Sequence, residues 1–287
     1  MCGDEKVYVI LGCCVTLSCL PLATDLDTVL DFKTHDQKLY KHTIPLYSRQ
    51  TAARESCTVE VLPPHEALAG EIARNPTVRA DLQRKVADGS FGRVYAENNI
   101  VRENVGEDVF PVALYVDGLP FAKRDSLLAF YTYNLVSGVR HLNAVLRRRN
   151  TCRCGCRGWC SIFALFRFFY WSLSCLVQGL YPTSGVQEEK FKPTSERAKK
   201  AGSQLGFRAF LSQVKGDWAE FAHTFGFVSW SSTHRPCLLC QTSKAEMYEF
   251  EKWSIVGAPH VLRDDASYEM ECAECEVKRT VTEEQLR

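Results

Sequence analysis

Hydrophobic and polar positions change period twice along this chain. Between Pro64 and Arg84 the apolar residues Ala67, Leu68, Ile72, Val78 and Leu82 recur at helical steps, which predicts one amphipathic helix. Asp88-Gly89-Ser90-Phe91-Gly92 interrupts it. From Pro111 onward the pattern turns to alternating and wholly apolar runs, Val112 to Val116, Leu127 to Val136 and Val139 to Leu146, with turn residues at Gly118 and Ser137-Gly138. These runs predict a three-strand meander. Helical period returns between 159 and 180, where Ile162, Phe166, Phe169, Leu173, Leu176 and Leu180 share a face and Arg167, Ser174 and Gln178 form a narrow polar edge. Gln187 to Lys200, rich in Lys and Glu, predicts a solvated helix or loop; Thr183 to Pro193 reads as a linker; Phe210 to Lys215 predicts a further strand.

Two apolar segments raise the question of a membrane. Val7 to Leu22 has the length of a signal-peptide core, but Asp4 and Glu5 precede it in place of a basic region and no small-residue cleavage site follows, so secretion is not expected. Ser161 to Tyr181 has transmembrane length, yet a central Arg167 would cost roughly 2.5 to 3.5 kcal/mol in lipid, which favours a buried core helix and no membrane partner. An apolar share of 46% in 287 residues is enough for a substantial core. The formal net charge of +1 provides no global attraction to nucleic acid, so any such binding needs a local patch. Arg140, Arg147, Arg148, Arg149, Arg153 and Arg157 form the one candidate, with Arg147, Arg148, Arg149, Arg153 and Arg157 as its DNA-binding core; a solvated strand edge or a nuclear-import signal reads the same way.

Fourteen cysteines change the picture further, because most fall in tight clusters. CxC and CxxC spacings suit a tetrahedral zinc better than a disulfide framework and point to a reducing compartment, nuclear or cytoplasmic. Cys237, Cys240, Cys272 and Cys275 would form one four-thiolate zinc site, although the 31 residues between the pairs exceed the ribbon spacing of about 15 to 20. Cys152, Cys154, Cys156 and Cys160 could hold a second zinc or, as alternate strand positions, simply pack together. His141, His223 and His234 read as structural or incidental, with His234 able to replace a thiolate.

Two acids stand at matching places. Asp117 follows the apolar run that begins at Phe110 and precedes Gly118; Asp217 follows the Phe210 run and is preceded by Gly216. Individually, Asp117 reads as a turn aspartate and Asp217 as the N-cap of a helix. Together they sit on the first and fourth strands of a strand, strand, strand, helix, strand order, which is that of the ribonuclease H-like fold. The expected class is therefore α/β, a ribonuclease H-like mixed sheet flanked by helices, with a cysteine-rich zinc-binding C-terminal region. The expected domains are a partly helical 1–105, a core over 106–230 and the cysteine-rich 231–287. Neighbouring first and fourth strands would let two carboxylates hold Mg²⁺.

Val116-Asp117-Gly118 with Pro120-Phe121, then Gly216-Asp217-Trp218, Gly226, Trp230 and Pro236-Cys237-Leu238-Leu239-Cys240, resembles the catalytic region of CACTA-type (En/Spm) DDE transposases over about residues 110 to 240. The Cys152-to-Cys160 block also resembles uncharacterised transposase-derived proteins. The resemblance implies metal-dependent DNA strand cleavage and transfer, Asp117 and Asp217 as catalytic Mg²⁺ ligands, DNA as partner and a capacity to form homo-oligomers. It also implies a third acid on a later helix, which is not identified here; Glu283 and Glu284 lie in a short polar tail. The expectation is a truncated or non-catalytic derivative, the alternative function being a zinc-stabilised nucleic-acid or protein-binding module. The family's histidine-bearing half-site is replaced by Cys272-Ala273-Glu274-Cys275.

Overall fold

A computed structural model of the chain describes residues 39–122, 125–225 and 227, with 231, 243–246, 266, 270 and 273. The chain divides into two compact units, Met1–Gly216 and Asp217–Arg287. The apolar Val7 to Leu22 segment, Gly226, Trp230, His234 and the Cys237, Cys240, Cys272 and Cys275 set lie outside the described residues.

The first unit opens with a hairpin of β1 (Tyr40–Ser48) and β2 (Ala53–Val61), paired antiparallel from Tyr40↔Val61 to Ser48↔Ala53. Tyr40, His42, Ile44 and Leu46 alternate inward along β1, a two-residue period carried by a stretch that reads as merely polar in sequence. Two helices follow, α1 (Pro64–Arg74) and α2 (Thr77–Ala87). The single helix expected from Pro64 to Arg84 is thus broken at Asn75-Pro76. Proline lacks the amide donor and drives the residue before it out of helical geometry, as Asn75 shows at φ −123° and ψ 88°. All five apolar positions of the expected stripe remain buried, split between the two helices. Short α3 (Gly92–Ala96) and α4 (Asn99–Glu103) then precede the main sheet.

That sheet contains β3 (Val109–Ala122), β4 (Asp125–Asn134), β5 (Arg140–Arg147) and β6 (Arg208–Lys215) in the order β5-β4-β3-β6. β3, β4 and β5 form the expected antiparallel meander, and β6 adds to β3 in parallel, from Val109↔Arg208 to Tyr115↔Lys215. A parallel neighbour requires a crossover, and the chain between β5 and β6 makes it through α5 (Trp159–Gln178) and the short α6 (Glu196–Lys200). The architecture is therefore α/β, a mixed four-strand sheet flanked by helices.

Alternation along the strands separates two faces. Phe110, Val112, Val136, Leu176, Phe207 and Ala209 pack with Leu68, Ile72, Val78 and Leu82 in the main core, which joins sheet, α1, α2 and α5. Val109 and Phe210 instead pack with Tyr95, Phe91, Ile100 and Val101, so that α3 and α4 cover part of the other face. Phe130 on β4 meets Phe169 and Phe166 of α5, with ring centroids 5.8 and 6.2 Å apart. A fully buried side chain of this kind contributes about 1.5 to 3 kcal/mol.

Among the described residues, α5 is the one helix long and apolar enough to cross a membrane by length and composition. Here its inward face is wider than expected. Leu165, Phe168, Ser172 and Cys175 are buried along with Ile162, Phe169 and Leu176, whereas Leu180 lies beyond the helix and is exposed. Gly179 ends α5 at φ 71°, a left-handed position where a Cβ would crowd Arg208 and the Phe207 carbonyl. The segment read as a linker, Thr183 to Pro193, is tied back at several points: Trp171 Nε1 donates to Ser184 O, and Tyr40 Oη accepts from the Val186 amide and donates to Glu189.

Candidate metal centre and its surroundings

Residues 151–160 carry the chain from the edge strand β5 into α5, and four cysteines converge there. One ligand atom from each of Cys152, Cys154, Cys156 and Cys160 lies within 4.8 Å of all the others. A tetrahedral zinc with bonds of about 2.3 Å has sulfurs roughly 3.8 Å apart; Cys154 and Cys160 Sγ stand at 3.7 Å without further movement. The thiols therefore fit a four-cysteine metal site such as zinc. The simple packing reading of alternate strand positions fails, because Cys152 to Gly158 is irregular loop and Cys160 belongs to the first turn of α5.

The local chain is built to hold this arrangement. Gly158, at φ 90°, caps α5 in a left-handed conformation, and its Cα runs so close to Thr151 that a Cβ would meet Oγ1 at 2.9 Å. Gly155 at φ 88° and Arg157 at φ 52° supply two further left-handed positions within the knuckle. Ser161 anchors the loop below. Its hydroxyl accepts from the Cys152 amide at 2.9 Å and donates to the Pro45 carbonyl of β1.

The thiols differ in their electrostatics. Burial alone would raise the Cys156 thiol, but the Cys160 amide and the neighbouring thiols outweigh that effect and bring it down to about 6. The bond with Cys156 pushes Cys160 up to about 12, and burial pushes Cys152 up. A divalent ion bound here would replace the thiol protons. Arg54 of β2 adds a guanidinium 3.8 Å from Cys160 Sγ, the kind of outer contact that steadies a charged thiolate.

The structure also places the other residues singled out in the sequence. Asp117 lies inside β3, opposite Ala129, and Gly118 lies opposite Leu128, so Asp117-Gly118 is neither a turn nor the strand's end. It does follow the last parallel pair with β6 by two residues. The Tyr115 hydroxyl donates to Asp117 Oδ2 at 3.1 Å, and burial together with this carboxylate raises the Tyr115 phenol. Tyr131 lies across from Tyr115 with ring centroids 5.8 Å apart. Arg140 stands over both Tyr115 and Tyr133, and Lys215 over Tyr133, so the face around Asp117 alternates aromatic rings and cations. In the second unit, Asp217 is the N-cap of α7 (Trp218–His223), accepting from the Glu220 amide at 2.6 Å, as its ordinary reading expects.

The arginine run is not a uniform patch. Arg147 and Arg149 converge on the buried Asp125 Oδ2 at 2.5 and 3.1 Å, the second contact lying off hydrogen-bond geometry. Arg148 lies in the turn after β5, Arg153 lies over the Tyr47 ring at 4.7 Å, and Arg157 is exposed. Sequence reasoning missed Asp125 because the residue sits 22 positions before Arg147 and meets it only through β4–β5 pairing. His141 is structural, bonded through Nε2 to buried Glu71 at 2.5 Å. His223 closes the last turn of α7. Comparison with protein families, with curated proteins and with solved structures returns no match.

Proposed function

We propose that this chain is a transposase-derived protein whose 106–230 region is a ribonuclease H-like core, with DNA strand cleavage and transfer as its ancestral chemistry. The observation that supports this reading is the sheet itself: an antiparallel meander whose first strand takes the strand after the helical crossover as a parallel neighbour. Tyr115 pairs with Lys215, and Asp117 and Asp217 each follow these positions by two residues along the chain. Asp117 and Asp217 are the acids proposed to bind Mg²⁺, which when bound would activate a water or 3′-hydroxyl and stabilise a leaving phosphate oxygen. Tyr115 steadies Asp117 for that role through its hydrogen bond.

Titration with Mn²⁺ or Mg²⁺ followed by calorimetry tests the reading. Asp117→Asn is expected to lose metal binding at least tenfold while keeping its melting temperature, and Mg²⁺-dependent nicking of supercoiled DNA should fall with it. Unchanged metal binding in both Asp117→Asn and Asp217→Asn sinks the proposal.

A second reading, a non-enzymatic zinc-stabilised binding module on the same fold, is favoured by the cysteine cluster, whose four ligand atoms all lie within 4.8 Å of one another. The purified chain is then expected to carry zinc at this site, and Cys154→Ser to lower both zinc content and thermal stability. Full zinc retention in that variant would refute the assignment.

A further inference from the structure

The surface beside the cysteine knuckle carries features that metal binding alone does not use. Trp159 and Phe163 occupy successive turns at the start of α5, are 42% and 52% exposed, and have ring centroids 6.1 Å apart. Trp159 also touches Phe166, with ring centroids 5.9 Å apart; large aromatic side chains normally contribute by being buried, so two neighbouring ones about half exposed make a candidate contact surface. Arginines lie close to them in the chain and around the knuckle. Arg157 and Arg167 are exposed, Arg153 is held over Tyr47, and Arg54 reaches Cys160. Glu55, next to Arg54 on β2, is engaged by Thr51. From Ser126 to Gln187 the sequence contains seven arginines and neither an acid nor a lysine. A zinc tetrathiolate would carry a charge of −2; with Glu55 counted, Arg54, Arg153, Arg157 and Arg167 still leave these groups formally positive.

From this juxtaposition we infer that the knuckle and the first two turns of α5 form a platform for single-stranded nucleic acid. Unpaired bases stack on Trp159 and Phe163, while Arg153 and Arg157 take the phosphates. Arg147 and Arg149 are excluded from this role, since Asp125 engages them. Half-exposed aromatic rings favour single strands over duplex, because paired bases already stack on each other. The inference rests on the zinc reading of the four cysteines only for the charge of the knuckle, and is independent of Asp117 and Asp217.

The test uses the zinc-loaded full chain with a labelled single-stranded oligonucleotide, the same sequence as duplex, and phosphatidylserine vesicles. Preferential, salt-sensitive binding of the single strand is expected. Trp159→Ala and Phe163→Ala should each weaken it by roughly 5- to 100-fold, the range typical of one stacked base, with zinc content and melting temperature unchanged. Arg153→Ala with Arg157→Ala should flatten the salt dependence. Equal affinity for duplex, binding confined to vesicles, or aromatic variants that bind as wild type would overturn the inference. Zinc present without oligonucleotide binding overturns the platform and leaves the metal site standing. Oligonucleotide binding that depends on Trp159 in a chain without zinc supports the platform and overturns the metal reading.

Discussion

His65 is buried between α1 and α5, with Ser172 on one ring nitrogen and no hydrogen-bond partner on the other. The Ser172 hydroxyl accepts from the His65 amide at 3.1 Å and pairs with Nδ1 at 2.7 Å, while Nε2 remains 3.9 Å from Glu66. Burial, reinforced by Arg197, depresses this imidazole from its ordinary 6.5 to about 3. The sign of the linkage is then fixed. Below pH 6.5 the unfolded chain takes up a proton that the folded chain refuses, so the contribution is complete above 6.5 and lost as pH falls toward 3. Between pH 7 and 5 this one residue should remove about 2 kcal/mol. Urea unfolding across that interval checks it: His65→Gln should show a shallower pH dependence than wild type, and equal slopes would show that the proton is taken up elsewhere.

Among elements, the tie between α1 and the β4–β5 turn depends on one buried carboxylate. Glu71 accepts from Asn134 Nδ2 at 2.9 Å and from Ser137, and it bonds His141. Glu71→Ala would leave these groups inside without a partner, so a loss of roughly 3 to 5 kcal/mol is expected in denaturant titration; a loss under 1 kcal/mol would show that the site relaxes around the gap. No periodicity announces such a contact, since Glu71 and His141 are 70 positions apart. What periodicity does announce was legible: the meander, α5 and β6 all fall within a few residues of the expected runs. The β1–β2 hairpin was not recognised, because Lys41, Thr43 and the other outward residues obscure the alternation of Tyr40, His42, Ile44 and Leu46. The cysteine site was legible as spacing, but the convergence of its four thiols turns on Gly155 and Gly158, whose left-handed backbone folds the loop back on itself. Asp117 was legible as an acid after an apolar run; its place inside a longer strand was hidden by Gly118, a residue that commonly ends strands.

For the molecule as a whole, both sheets, α5 and the four clustered thiols fall between Tyr40 and Lys215. A fragment spanning 39–216 is therefore expected to fold by itself and to melt in one cooperative transition with zinc bound. A chelator should lower its midpoint by roughly 5 to 10 °C if the metal supplies only about 3 kcal/mol. Calorimetry with and without chelator measures both, and a broad, non-cooperative melt would show that this region is not autonomous.

The parallel pairing of β3 with β6 also sets the order in which the chain can assemble during synthesis. Tyr115 must wait for Lys215, a hundred positions later. At about 5 to 20 residues per second, the edge of β3 stays without its neighbour for roughly 5 to 20 s after it leaves the ribosome. The meander and the knuckle, whose contacts are local, can form in that interval, whereas an open strand edge invites pairing with other nascent chains. Slow translation or high expression should therefore cost this protein yield through aggregation before β6 arrives.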